Sequence, residues 1–166
     1  MNQFEHAKRI LVVDDDEEIR VLHTQYLDRL GYEVETASDG LEGLAKIQLD
    51  IDLVLVDADM PNMDGFEVAR RIREEAGHDD LPVVMVTALA RKEDRLRAYE
   101  VGINDFLNKP VDPHELRLRL HWLLELKTAR DALRDYQAEL EAKVERRTRA
   151  LRSALEEMTE AKRHTY

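Results

Sequence analysis

Three short runs of consecutive apolar residues constrain the fold of this chain more than any other feature. They lie at residues 10–13, 53–56 and 83–86 and are rich in β-branched side chains. A strand that is buried on both faces has such a continuous apolar pattern, whereas a half-exposed strand alternates between apolar and polar residues. The runs therefore predict strands of a parallel sheet that is covered by helices on both faces.

The segments around these runs have the spacing of amphipathic helices. Apolar residues recur every three or four positions in three of them, namely Ile19, Leu22, Tyr26 and Leu30; Leu41, Leu44 and Ile47; and Phe66, Ala69 and Ile72. Weaker patterns predict strands at 33–36 and 105–107 and a helix at 92–101. Because strands and helices alternate, we expect an α/β fold with a doubly wound, five-stranded parallel sheet.

The C-terminal part of the chain differs from the rest in composition. All six Gly and all four Pro lie between Gly31 and Pro113, so no residue after Pro113 would break a helix. Residues 1–126 have a net charge of −13, and residues 127–166 have a net charge of +2. We therefore expect an acidic globular domain at 8–126 and a long polar helix at 127–166.

The predicted C-terminal helix has the repeat of a coiled coil. Two heptad series follow one another, Leu126, Leu133 and Leu140, and then Val144, Leu151 and Met158. The second series is offset from the first by four residues, which is a stutter that locally unwinds a coiled coil. A polar helix of this length is unstable without a packing partner, so we expect a parallel homodimer; a single solvated helix is the alternative.

Polar residues follow the predicted strands at their carboxyl ends. Asp14 and Asp15 follow the first strand, Asp57 follows the third, Thr87 the fourth, and Lys109 comes just after the fifth. Ligands of open α/β sheets bind at this edge. Clustered carboxylates need raised pKa values or a bound cation, for which Mg²⁺ fits best. A lysine and a hydroxyl beside such an ion suit a phosphoryl group, with Asp57 as the nucleophile.

These residues and their neighbours resemble the receiver domain of two-component response regulators, which has a flavodoxin-like (βα)5 fold. The similar segments are ILVVDD at 10–15, DADMPNMDG at 57–65 and FLNKP at 106–110. The resemblance covers about residues 8–126. It implies that Asp57 accepts a phosphoryl group from the phosphohistidine of a sensor histidine kinase or a phosphotransfer protein.

The resemblance also implies a metal site. Asp15 would bind Mg²⁺ directly and Asp14 mainly through water, while Asp57 and the backbone carbonyl of Asp59 would complete the protein ligands. Mn²⁺ is expected to substitute for Mg²⁺. The side chain of Asp59 adds a negative charge near the phosphoryl group, which should affect the lifetime of the aspartyl phosphate.

Three further residues have implied roles in a conformational switch. Lys109 would pair with the phosphoryl group, Thr87 would move to hydrogen-bond it, and Phe106 would rotate inward as Thr87 moves. The surface formed by the fourth helix, fifth strand and fifth helix would change, and this surface is a second candidate for homodimer contact.

The expected enzymatic activity is limited to Mg²⁺-dependent self-phosphorylation and autodephosphorylation at Asp57. Because the chain ends without a helix-stop signal, we expect the coiled coil to lead to an absent output domain. The segments at 145–149 and 161–165 resemble linkers that precede HD-GYP cyclic-di-GMP phosphodiesterase domains.

Composition excludes several other classes. The absence of Cys excludes disulfides and thiolate metal sites, and no stretch of 18 apolar residues is present to span a membrane. The N-terminus has no secretory signal, so we expect a cytoplasmic protein without membrane partners. A net charge of −11 disfavours direct binding of nucleic acid.

Two other functions remain as alternatives. The Asp-x-Asp sequence at 57–59 is similar to that of haloacid-dehalogenase phosphatases, although those enzymes place it on their first strand. A degenerate receiver that serves as a constitutive dimer scaffold is the second alternative. Structural roles are expected for Asp16, Asp64 and Asp112, which we interpret as helix N-caps.

Overall fold

A computed structural model describes residues 6–75, 77–88 and 91–164. Its elements are, in chain order, β1 (Arg9–Val13), α1 (Glu17–Arg29), β2 (Glu33–Ala37), α2 (Gly40–Lys46), β3 (Leu53–Asp57), α3 (Gly65–Glu74), β4 (Val83–Thr87), α4 (Lys92–Glu100), β5 (Asp105–Asn108) and α5 (Pro113–Arg163). All strand pairs are parallel, and the strand order is β2-β1-β3-β4-β5. The predicted doubly wound, flavodoxin-like fold is confirmed.

The sheet separates two hydrophobic cores. On β1, Leu11 and Val13 belong to the core that contains residues of α3 and α4, and Leu44 of α2 packs against it. Ile10 and Val12 belong to the other core, which contains residues of α1 and α5. Successive residues of a strand point to opposite faces. Both faces are therefore covered, as the continuous apolar runs predict.

The strands are longer at their ends than the apolar runs. The predicted runs stop at residues 56 and 86, whereas β3 ends at Asp57 and β4 ends at Thr87. Backbone pairing with neighbouring strands thus includes these two polar residues. Their positions are fixed by the sheet instead of by a loop.

In two helices one residue of the predicted apolar face is exposed, although Tyr26, Leu44 and Ile47 pack against the cores as predicted. In α1 the buried residues are His23 and Leu27, and Leu22 is 39% exposed. In α2, Leu41 is 65% exposed, and the helix approaches β1 through Gly43. A Cβ atom on Gly43 would lie only 2.9 Å from a methyl group of Val13.

Aspartate side chains begin most of the helices. Asp16, Asp64 and Asp112 each accept a hydrogen bond from a backbone N–H in the first turn of α1, α3 and α5, at 2.7–3.3 Å. Their interpretation as N-caps is confirmed. Asp39 caps α2 in the same way, and the exception is α4, where Arg91 at the N-cap makes no side-chain hydrogen bond to the helix.

The chain divides into two compact units at residues 1–127 and 128–166. Within the second unit, α5 is helical as far as Arg163, and its large apolar side chains are exposed, namely Leu133, Tyr136, Leu140, Val144, Leu151, Leu155 and Met158. In the part of the chain that the structure describes, no helix is both long and apolar enough to cross a membrane.

Candidate functional site

Three carboxylates converge at the carboxyl ends of β1 and β3. The two strands are neighbours, and Val13 is paired with Val56, so Asp14 and Asp57 follow at the same edge. Carboxylate oxygens of Asp14, Asp15 and Asp57 lie within 4.8 Å of one another. Asp14 and Asp57 are buried, whereas Asp15 is exposed. The predicted cluster is therefore present, with an opening to solvent on the side of Asp15.

Burial makes this cluster electrostatically costly. It raises the pKa of Asp14 to about 6, against a lowering by the hydrogen bond that Asp14 accepts from the Asp16 N–H. Burial also raises the pKa of Asp57, although the hydrogen bond from Lys109 opposes the effect. Two buried carboxylates this close favour a bound cation, because a cation offsets their mutual repulsion.

Lys109 supplies the positive charge of the site. Its Nζ lies 2.7 Å from Oδ1 of Asp57, and its backbone N–H donates to the carbonyl of Thr87 just after the end of β5. Partial burial lowers the pKa of Lys109, but the hydrogen bond with Asp57 and the charges of Asp57, Asp14 and Asp59 outweigh it and raise the pKa. The ammonium group therefore stays protonated beside the carboxylates.

Thr87 lies at the same edge, one strand away from Asp57. In the pairing of β3 with β4, Asp57 is opposite Val86, and Thr87 is the next residue. Its side chain is buried, while Ala88 after it is exposed.

Asp59 and Gly65 shape the loop after β3. The backbone N–H of Asp59 lies 3.5 Å from Oδ1 of Asp57, and the Asp59 side chain is exposed. A Cβ atom on Gly65 would lie 2.4 Å from the carbonyl oxygen of Asp57, so only glycine fits where α3 begins. The sequence pattern alone assigns Gly65 no role at the site. The sequence feature that could have indicated this role is the Asp-Gly pair at residues 64–65, where α3 begins.

Phe106 lies in β5 beneath α4. Its ring is partly buried and meets the ring of Tyr99 edge to face, with the centroids 5.8 Å apart. Ala98 is the buried residue of α4, and the helix has no side-chain N-cap. The predicted switch aromatic therefore contacts a weakly anchored helix.

Arg97 is a further residue near the site that the sequence did not single out. Its guanidinium lies 4.3 Å from the centroid of the Phe66 ring, and its Nη2 lies 3.7 Å from Oδ2 of Asp64. Both partners come from the segment that follows Asp57. Arg97 thus connects α4 to the start of α3, a contact that spacing along the sequence could not indicate.

The fold and the site together define a class of protein. A doubly wound sheet with a carboxylate cluster and a lysine at its carboxyl edge is the arrangement of phosphoryl-accepting signalling domains. The sequence profile of the response regulator receiver domain matches residues 10–121. The chain belongs to this family, whose members act in phosphorylation-activated signalling.

Curated relatives match along most of this chain. The DNA-binding dual master transcriptional regulator RpaA of Synechocystis is 40% identical over 117 residues, which are 70% of this chain and 48% of RpaA. The response regulator PleD of Caulobacter vibrioides is 42% identical over 134 residues, which are 80% of this chain and 29% of PleD. The matched part of this chain thus spans half of these relatives or less.

Solved structures share the fold. The chemotaxis protein CheY4 of Vibrio cholerae has a TM-score of 0.69 and 35% identity, covering 71% of this chain and 99% of CheY4. The receiver domain of the sensor histidine kinase PA1611 of Pseudomonas aeruginosa has a TM-score of 0.67 and 29% identity, covering 72% and 99% of the two chains. That structure has a magnesium ion coordinated in its active-site cleft.

Proposed function

We propose that the protein is a two-component switch in which Asp57 accepts a phosphoryl group from the phosphohistidine of a sensor kinase or phosphotransfer protein. The observation that supports this most is the Lys109–Asp57 ion pair of 2.7 Å beside Asp14 and Asp15. An Asp57 carboxylate oxygen attacks phosphorus, the P–N bond to histidine breaks, and the imidazole leaves and takes up a proton.

The donor set fits a hard divalent cation. Asp14, Asp15 and Asp57 offer only oxygen atoms, and Mg²⁺ prefers oxygen ligands with several waters retained. These three residues and the carbonyl of Asp59 would hold Mg²⁺, and Mn²⁺ would bind to the same ligands as a substitute. When bound, the ion supplies positive charge that balances the phosphoryl oxygens. The magnesium in the PA1611 receiver supports this assignment.

Lys109 and Thr87 act on the product of the transfer. Once Asp57 is converted into an acyl phosphate, its carboxylate charge is lost, so the Lys109 ammonium is released to pair with a phosphoryl oxygen. The Thr87 hydroxyl lies one residue beyond the strand position opposite Asp57 and donates a hydrogen bond to another oxygen. Each contact exists only in the phosphorylated state, so each biases the equilibrium between two conformations.

Transmission begins at β5 and α4. Movement of Thr87 towards the phosphoryl group makes room for Phe106, which rotates inward and leaves its edge-to-face contact with Tyr99. Because α4 has little buried anchorage, the surface of α4, β5 and α5 changes with it.

The C-terminal helix then conveys the change. We assign domain roles to residues 8–126 as receiver and 127–166 as coiled-coil linker, with a parallel homodimer along α5 and an additional contact through α4, β5 and α5. The linker segments at 145–149 and 161–165 favour an HD-GYP phosphodiesterase as the output domain. The exposed apolar side chains of the helix support the dimer, because isolated polar helices gain most of their stability from packing.

Intact-protein mass spectrometry after incubation with acetyl phosphate tests the proposal. We expect one phosphate adduct with Mg²⁺ and none with excess EDTA. A folded protein that forms no adduct with Mg²⁺ would instead support the degenerate scaffold. The phosphatase alternative is disfavoured because Asp57 ends the third strand, and sustained turnover of a phosphate monoester would restore it.

A further inference from the structure

One exposed apolar stripe lies on α5 within residues 1–127. Leu118, Trp122 and Leu126 are 42%, 69% and 48% exposed, at steps of four residues. On the other side of the same turns, Leu116, Leu120 and Leu124 are buried in the core, and Leu123 packs against it. Trp122 is the sole tryptophan of the chain. A large aromatic ring that is this exposed to solvent indicates a contact surface.

The position of Trp122 continues the coiled-coil repeat backwards. From Trp122 the sequence steps by 4, 3, 4, 3 and 4 residues through the positions Leu126, Ala129, Leu133, Tyr136 and Leu140. Alternating steps of three and four are the a and d positions of a heptad. Leu126, Leu133 and Leu140 occupy a, so Trp122 occupies the d position one layer before Leu126. The repeat therefore begins inside the receiver.

We infer that a second copy of this chain covers Trp122, so that the dimer interface along α5 begins on the receiver itself. This inference rests on the parallel dimer of the proposed function. Paired helices in coiled coils run about 8–10 Å apart. If the two copies are paired at Leu126, then one turn earlier on the same continuous helix the two Trp122 rings face each other.

The charges beside this layer favour the same arrangement. With Trp122 at d and Leu126 at a, Glu125 is at g and Arg130 is at e of the following heptad. In a parallel, in-register dimer a g residue lies near the e residue five positions later in the partner. Glu125 therefore lies near the partner's Arg130, with opposite charges at the entrance to the interface. Exposed pairs of this kind add little stability but help to fix orientation.

The absence of Cys permits a clean crosslinking test in the full chain. Three single-cysteine variants are compared under mild oxidation at low micromolar concentration: Trp122→Cys, Tyr136→Cys and Arg117→Cys. The first two occupy d layers, and Arg117 is an exposed α5 position off the stripe. We expect disulfide dimers of the Trp122→Cys and Tyr136→Cys variants, at least ten times faster than for the Arg117→Cys control.

The pattern of crosslinks separates the inference from the dimer on which it rests. If the Tyr136→Cys variant crosslinks and the Trp122→Cys variant does not, the coiled-coil dimer is supported and its extension into the receiver is wrong. If neither variant crosslinks and the protein sediments as a monomer, both the dimer and the extension are wrong. Crosslinking of all three at one rate indicates random collision and also overturns the inference.

The wild-type protein gives an independent measurement, because removal of the Trp122 side chain could itself weaken the interface. We expect its tryptophan emission to shift to shorter wavelength, and acrylamide quenching to fall at least two-fold, over the concentration range in which sedimentation shows dimer formation. Dimer formation with unchanged emission and quenching would leave Trp122 solvated. That result would overturn the inference. An emission shift without dimerisation would also overturn it, because something other than a second copy of this chain would then cover Trp122.

Discussion

The Nζ of Lys109 lies 2.7 Å from Oδ1 of Asp57, in an ion pair whose carboxylate side is 3% exposed. A buried carboxylate that loses its cationic partner is costly, whereas removal of both charges costs less. The stability of the metal-free protein therefore depends on this pair, in which Asp57 is also the proposed phosphoryl acceptor.

A double-mutant comparison measures this link. We expect Lys109→Met to lower the free energy of unfolding by about 1–3 kcal/mol, since Asp57 is left without its hydrogen-bonded partner. The double variant Lys109→Met/Asp57→Asn should recover at least half of the loss. Urea unfolding with EDTA at pH 8 provides the values. A double variant less stable than the single one would show that the pair is not the source of the loss.

The raised pKa of Asp14 predicts that the stability of the protein depends on pH. Its pKa is raised from 3.8 to about 6 in the folded protein, chiefly by burial. The folded state therefore binds the Asp14 proton more tightly than the unfolded state, and this contribution to stability is lost as pH rises from about 4 to above 6.

The variant Asp14→Asn removes the cost of ionisation and keeps an oxygen for the Asp16 N–H. We expect it to be more stable than the wild type by on the order of 1–3 kcal/mol at pH 8 with EDTA. At pH 4 the two proteins should have nearly equal stability. The midpoint of urea unfolding at each pH checks this, and a destabilised variant at pH 8 would contradict the account.

Metal addition should stabilise the wild type. Mg²⁺ that binds only the folded protein adds about 1.4 kcal/mol at ten times its Kd. The exposed carboxylate Asp15 is the proposed direct ligand, so Asp15→Asn should reduce the rise in Tm at least by half. Asp16→Asn is the matched control, because Asp16 caps α1 and points its carboxylate at backbone N–H groups. Equal rises in Tm for both variants would refute the assignment of Asp15.

Thr87 should be needed for the conformational change but not for the chemistry. Valine has the shape of threonine without the hydroxyl, so we expect Thr87→Val to form the acetyl-phosphate adduct. Amide hydrogen exchange in α4 should respond to phosphorylation in the wild type and at least five-fold less in the variant. An unchanged response would show that the hydroxyl does not couple the site to α4.

The strand-end residues could be predicted from the sequence for a physical reason. Continuous apolar runs indicate strands buried on both faces, and parallel strands bring their carboxyl ends to one edge. Asp14, Asp57, Thr87 and Lys109 could thus be placed at one edge without coordinates. The N-cap roles of Asp16 and Asp64 can be predicted equally well, because an N-cap side chain bonds to the first turn of the helix that follows it.

Features set by tertiary packing could not be predicted in this way. Spacing alone suggested Leu22 as an inward residue of α1, but His23 is buried because the helix is rotated against the sheet. The contact of Arg97 with Phe66 joins residues far apart in sequence. The exposure of Trp122 depends on which side of α5 packs on the sheet, and the spacing of apolar residues does not determine that side.

The most direct test of the account compares two neighbouring aspartates, Asp57 and Asp59. Asp57→Asn and Asp59→Asn are each incubated with acetyl phosphate and Mg²⁺ and examined by intact-protein mass spectrometry, with circular dichroism to verify the fold. Because Asp57 is buried against Lys109 and Asp59 is exposed, we expect no adduct on Asp57→Asn and a single adduct on Asp59→Asn. An adduct of wild-type yield on folded Asp57→Asn would contradict the central claim.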